Sequence, residues 1–280
     1  MTLDPSAVGV QTEPIAYCYD ERDAILYALG VGAKGDADLD FLYEGRGPRM
    51  LPTFGAAVSL PAIERLFSAP GGDLRGLVHG SQRMVVHAPL PPSGELFTVA
   101  RLEGVYDLKR LAVCDFSAEV RDGGGALYVA GVSRVIYRFD GGFGGERPPP
   151  WRVHVPDRPP DHQVSDVTCA EQALLYRLSG DRNPLHADPE AAKEAGFDRP
   201  ILHGMCTYGF VARAIIRAAC GGDPDRLRVL SGTFTKPVWP GDTLVTQLWD
   251  EGERLIVQAH TEERPHEVVF GAAYAEVDSR

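Results

Sequence analysis

From Thr207 to Cys220 the stretch TYGFVARAIIRAAC repeats apolar residues at helical spacing, and GGDPD at 221–225 then stops it. Four β-like runs follow: LRVLSGTFTKPV (227–238), TLVTQLWD (243–250), RLIVQAHTE (254–262) and VVFGAAYAEV (268–277). Turn residues separate them, so local connections make them antiparallel neighbours. The first half has the same grammar. A helix at 54–67, which Pro61 should shorten or kink, precedes strands near 81–88, 95–106, 109–120 and 126–139. One helix followed by a run of antiparallel strands predicts an α+β layer in which the helix lies on the sheet.

Between the halves, DGGFGGERPPPWRVHVPDRPPD (140–161) is too rich in Gly and Pro for a packed helix or a central strand. It divides the chain into units at 1–140 and 162–280, joined by a linker at 141–161. Three segments recur in the same order. ILYALG (25–30) resembles LLYRLSG (174–180), LPTFG (51–55) sits where ILHGMCTYG (201–209) sits, and APLPPSGEL (88–96) resembles KPVWPGDTL (236–244). The two tyrosines, Tyr27 and Tyr176, and the two prolines, Pro89 and Pro237, stand at nearly equal separations. That points to an internal duplication, with the two sheets joined side by side.

Composition narrows the function classes. No apolar run is long enough to span a membrane, and the N-terminal MTLDPSAVGVQTEP is not a secretory signal. Five scattered cysteines without C-x-x-C favour a reducing compartment over a disulfide framework or a thiolate metal site, and AEVDSR is not a peroxisomal address; a cytoplasmic location is expected. A net charge of −11 disfavours nucleic acid or an anionic membrane as partner.

The chemistry concentrates in YRLSGDRNPLHADP (176–189). Asp181 and His186 flank a turn that holds Asn183, the only asparagine in the chain. A carboxylate and an imidazole on opposite arms of a tight turn can reach one cleft and share a water, one taking a proton and the other delivering one. Asp188-Pro189-Glu190 has its own structural reading as an N-cap, N1 proline and first turn of a short helix ending near Gly196. His203-Gly204 opens the long apolar helix, where free N–H groups suit a developing oxyanion. GVGAKG (30–35) lacks the strand–turn–helix setting of a dinucleotide site and reads as a flexible turn. Asp181, His186, Asp188 and His203 match no usual metal spacing, and Cys206 reads as a buried apolar position.

YRLSGDRNPLH, PILHG and the duplicated layout resemble the MaoC-like family of R-specific enoyl-CoA hydratases, also called hydratase 2. FLYEG (41–45), VHGSQ (78–82), GGFGG (141–145) and FTKPVWPG (234–241) extend the likeness over nearly the whole chain. The resemblance implies a double hotdog: two units, each a long helix packed on an antiparallel sheet. It implies reversible addition of water to trans-2-enoyl-CoA, giving (3R)-3-hydroxyacyl-CoA, with no metal and no cofactor beyond the CoA of the substrate. Asp181 and His186 then activate the water, Asn183 assists, and the Gly204 N–H holds the oxyanion. Tyr176, Asp188 and Glu44 fall on positions that shape the site. CoA contacts carry over to His79, Gly80 and Phe234; the family lysine has Leu108 in register, with Lys109 one position on. The first unit lacks the paired histidine, so its expected role is to bind the acyl tail near 44–57, and a homodimer is expected. The alternatives are a dehydratase acting on acyl-carrier-protein thioesters and a non-catalytic acyl-thioester-binding module.

Overall fold

A computed structural model of the protein describes residues 2–278. The chain begins with β1 (Ile15–Tyr19) and α1 (Glu21–Gly30). Asp20 and Asp23 form a reciprocal capping box that starts α1. Two short helices follow, α2 (Leu39–Leu42) and α3 (Thr53–Val58). The helix expected at 54–67 is broken, because α3 stops at Ser59, whose hydroxyl donates to the Ala56 carbonyl at 2.7 Å. The chain restarts as α4 (Leu60–Glu64), with Pro61 in the first turn, where its missing N–H costs nothing. Then come β2 (Leu77–Val86), β3 (Gly94–Asp107), β4 (Ala112–Asp122) and β5 (Leu127–Tyr137). Residues 141–161 form neither helix nor strand.

The second half runs β6 (His162–Val167), α5 (Gln172–Tyr176), α6 (Pro189–Glu194), α7 (Gly204–Ala219), β7 (Leu227–Phe234), β8 (Thr243–Asp250), β9 (Leu255–Thr261) and β10 (Arg264–Val277). All ten strands form one antiparallel sheet in the order β1-β3-β4-β5-β2-β7-β10-β9-β8-β6. Read outward from the β2–β7 seam, the halves repeat the same topology, and this is a double hotdog. The seam pairs Ser81 with Thr233 and Val85 with Val229. Eight strands fall close to the expected runs. The edge strands β1 and β6 were missed, since five- and six-residue edges with one wet face carry little pattern.

α7 is the centre of the packing. Every residue from Met205 to Ile216 is buried, so this helix is enclosed on all sides. Arg213 lies within that run and pairs with Asp38 of the first half at 2.5 Å. A buried arginine without that partner would strand a charge in the core, so the pair fixes how the halves meet. The start of the GVGAKG segment is docked on α5 and α7 through its backbone. The Gly30 carbonyl accepts from Gln172 Nε2 at 2.7 Å, and the Val31 carbonyl accepts from Arg213. Gly209 makes this approach possible, since a Cβ there would stand 2.3 Å from Val31 Cγ1.

Candidate active site

A cavity of about 320 Å³ opens where the first turn of α7 meets the seam of the sheet. Asp181, Asn183, His186 and Gly204 all line it, so the fold gathers the four residues singled out for catalysis. The turn that carries them is built by its own side chains. Asn183 caps the 3₁₀ turn Pro184–His186 by accepting from Leu185 N at 3.0 Å. The Asn183 backbone N–H donates to Asp181 Oδ1, also at 3.0 Å, which orients the carboxylate. A single amide residue thus shapes the turn and aims its acid.

His186 is buried, and its Nδ1 lies 2.8 Å from the Ile201 carbonyl. A carbonyl only accepts, so Nδ1 carries the proton and, in the neutral ring, Nε2 is left as a base. Burial lowers the His186 pKa, and the negative charge of Asp181 opposes that shift. His203 is fully buried and stacks on His186, with ring centroids 3.7 Å apart and planes 29° from parallel. Its pKa is also lowered, first by burial and then by His186. His203 Nε2 sits 3.3 Å from the Asp181 carbonyl, so this ring braces the turn from beneath.

Gly204 is the first residue of α7, where the backbone N–H has no acceptor within the helix and the dipole is positive. The Phe234 ring packs 3.4 Å from where a Gly204 Cβ would stand, which leaves little room for any side chain. Phe234 meets the His79 ring edge-to-face at 5.1 Å, and both line the cavity. Burial pushes His79 down to about 4.

Donor atoms of Asp181, His186 and His203 lie within 4.8 Å of one another, the spacing of a metal site. The two imidazole rings are stacked, and one nitrogen of each faces a backbone carbonyl.

Five carried-over positions do not line this cavity. Glu44 is exposed in a 3₁₀ turn, within a run of exposed residues at 43–47. Lys109 is exposed at the β3–β4 turn with φ +70°, its N–H held by Asp107. Asp188 is the exposed N-cap of α6, accepting from Glu190 N at 2.9 Å, as its structural reading had it. Gly80 is buried at a bulge in β2, behind His79. Tyr176 is buried beside His203, with ring centroids 4.9 Å apart.

The first-half wall of the cavity differs from the expected 44–57. It consists of Leu60, Ile63, Glu64 and Phe67, with parts of β2 and β5. That i, i+3, i+4, i+7 spacing is legible in LPAIERLF once the helix is known to restart at Leu60. Glu64 is the polar exception in this wall; partial burial and the charge of Asp181 raise its pKa. Lys236, rather than Lys109, is the lysine that lines the cavity.

Fold and site together define a double hotdog with a single acid–base centre, set at the mouth of an apolar cavity. Comparison with known proteins gives this class a family. Residues 17–138 match the MFE-2 hydratase 2 N-terminal domain and residues 152–270 the MaoC like domain. The chain is 40% identical over 276 residues to the peroxisomal enoyl-CoA hydratase 2 of Arabidopsis thaliana, covering 91% of this chain and 89% of that one. A MaoC-like dehydratase from Phytophthora capsici superposes with a TM-score of 0.88 at 30% identity, over 100% of this chain and 98% of that one. The full-length peroxisomal multifunctional enzyme type 2 of Drosophila melanogaster gives 0.83 at 35% identity, over 95% of this chain and 48% of the larger enzyme. The chain belongs to the MaoC-like hydratase 2 family.

Proposed function

We propose that the chain is an R-specific 2-enoyl-CoA hydratase, which adds water reversibly to trans-2-enoyl-CoA to give (3R)-3-hydroxyacyl-CoA. The observation that carries this reading is the convergence of Asp181, His186 and the first N–H of α7 on one apolar cavity. The thioester carbonyl accepts from the Gly204 N–H, and the acyl chain lies against Leu60, Ile63 and Phe67. A water sits between the Asp181 carboxylate and His186 Nε2, with Asn183 beside it.

In the forward direction the water oxygen bonds to C3 as one of its protons passes to the Asp181–His186 pair. The electron pair of the double bond moves onto the thioester oxygen, and the N–H and helix dipole stabilise that charge. The pair then returns its proton to C2, and the thioester re-forms. Neutral His186 and ionised Asp181 start with no acidic proton facing the substrate, so the proton reaching C2 is the one taken from water. Both new bonds therefore form from one face. This scheme calls for no metal and no cofactor beyond the CoA of the substrate.

In this reading residues 162–280 carry the chemistry, 1–140 form the non-catalytic wall for the acyl tail, and 141–161 connect them. His79 and Phe234 flank the thioester, and Lys236 offers a cation to the CoA phosphates. Gly80 and Tyr176 act from behind the cavity wall, and Glu44, Lys109 and Asp188 have no direct contact with substrate. A reducing, cytoplasmic setting fits the five free cysteines, and a homodimer is the assembly this reading expects. Among the described residues no helix is long and apolar enough to cross a membrane. Hydration of a panel of enoyl-CoAs, with chiral analysis of the product, tests the proposal: (3R) product is expected, and (3S) product or no turnover overturns it.

A further inference from the structure

Asp181 faces a second, smaller cavity of about 10 Å³, close to the space of a single water. Its polar walls include Tyr176, Ser179 and Gln82, and its apolar walls include Ala56, Ala57 and Met205. Leu60, Ile63, His79, Ser133, Asp181 and Met205 line both cavities, so one layer of side chains divides them. Gln82 is already committed: its oxygen accepts from Ser133 and its nitrogen donates to the Arg83 carbonyl. Ser179 is not. It is 8% exposed, and its buried Oγ has no hydrogen-bond partner. Tyr176, 2% exposed, places its side chain in the wall of this same cavity.

A buried hydroxyl without a partner costs roughly 1–3 kcal/mol, and a water with two to four polar neighbours removes that cost. The hydroxyls of Ser179 and Tyr176 and the Asp181 carboxylate provide three. The hydration reaction gives such a site a use. In the dehydration direction the C3–O bond breaks, the leaving oxygen takes a proton from the Asp181–His186 pair, and a water appears where the acyl thioester fills the main cavity. A neighbouring polar pocket sharing Asp181 can receive that water without release of the thioester.

We propose that this small cavity is a water site, held by Ser179, Tyr176 and Asp181, that exchanges with the reacting water while the acyl thioester stays bound. The proposal rests on the hydratase reading, and the experiment separates the two. At chemical equilibrium, entry of solvent ¹⁸O into (3R)-3-hydroxyacyl-CoA is compared with exchange of carbon label between the free enoyl-CoA and hydroxyacyl-CoA pools. Oxygen exchange is expected to outpace acyl exchange severalfold in the unaltered chain. The ratio should fall toward one in Ser179→Val, which removes the hydroxyl, and in Ala57→Val, which narrows the cavity from its apolar wall. Equal rates in the unaltered chain overturn the water site and leave the hydratase reading standing. A raised ratio that neither variant changes also overturns it, because the water then leaves by another route. If one variant does not fold, the unaltered chain and the other variant decide. Absence of both exchanges removes the hydratase reading, and the water site with it.

Discussion

Residues 201–219 and their counterparts at 51–67 begin alike, with an apolar lead-in to a helix, and diverge after one turn. In the second half the helix runs unbroken for 16 residues with its N-terminus at the acid–base pair. In the first half it breaks at Ser59, and the restarted α4 sends Ala62 into a separate core, joined there by Leu66 just past its end, while Leu60 and Glu64 face the cavity. The preceding turns diverge as well. SGDRNPLH presents a carboxylate and an imidazole, whereas the equivalent GVGAKGDA is pinned to α5 and α7 by its backbone carbonyls. The comparison teaches that one copy of a duplicated unit can give up its chemistry and its straight helix together. The break that would be costly beside a catalytic turn opens room for substrate in the other copy.

The largest test of that contrast removes the chemistry from the half that has it. Asp181→Asn keeps the shape of the turn and removes the base, and His186→Ala removes its partner. Each should lower kcat by about two to four decades with substrate affinity within a few fold. The double variant should be little worse than the poorer single one, because the two groups handle one proton. Steady-state kinetics on folded protein decides this, and near-normal turnover in either single variant would place the chemistry elsewhere.

A smaller effect should come from the half without chemistry. Ile63→Trp fills the wall of the cavity on the first-half side. Crowding of this kind costs roughly 1–3 kcal/mol, or about 10- to 100-fold in kcat/KM for long-chain enoyl-CoAs. Crotonyl-CoA, whose tail is a single methyl, should be nearly unaffected. Equal losses on both substrates would break the division of labour between the halves.

The two-unit α+β layout was legible in the sequence because duplication shows twice, in matched segments and in matched spacing, while the hotdog itself followed from the family resemblance. Asp181, Asn183 and His186 were legible because they are close along the chain and local turn chemistry brings them together, and Gly204 because it opens the long apolar helix. What escaped is non-local. Leu60, Ile63 and Phe67 carry a helical stripe whose register becomes visible only after the break at Ser59 is known. The sequence places His203 at the start of the long helix, and only the fold stacks it on His186. Glu44 and Lys109 lie outside the cavity, because likeness along a chain says nothing of which way a loop faces.

Acid should affect the two halves unequally. His79, His186 and His203 all have pKa values depressed chiefly by burial, so the folded protein holds them neutral. The unfolded chain binds more protons than the folded one below about 6.5, hence stability rises with pH through that window. The contribution is fully present above the unfolded value and is lost as pH falls through the folded ones, which for His79 means toward about 4. Two of the three histidines belong to the catalytic half. Denaturant unfolding at pH 7.5, 6 and 5 should therefore show falling stability, and His203→Gln should flatten the slope more than a substitution at exposed His154. Activity should fall on the same acid limb, as His186 loses its acceptor nitrogen. A stability that is flat from pH 7.5 to 5 would contradict the neutral histidine stack.

The smallest effect concerns Asp188, the residue directly after the catalytic turn that has no counterpart role in the first half. Its carboxylate caps α6 through Glu190 N and does not line the cavity. If capping is its whole contribution, Asp188→Ala should cost about 1 kcal/mol of stability. Asp188→Asn should restore most of that loss, since asparagine caps as well as aspartate does. A charge acting on the site would separate the variants differently. Asparagine would keep the stability and still lower kcat, because it supplies the hydrogen bond without the negative charge. Unfolding free energies and kcat for the two variants, measured side by side, distinguish a structural cap from a second electrostatic partner of His186. The geometry favours the cap, so stability should track the hydrogen bond, and kcat for Asp188→Asn should stay within a few fold of the unaltered chain.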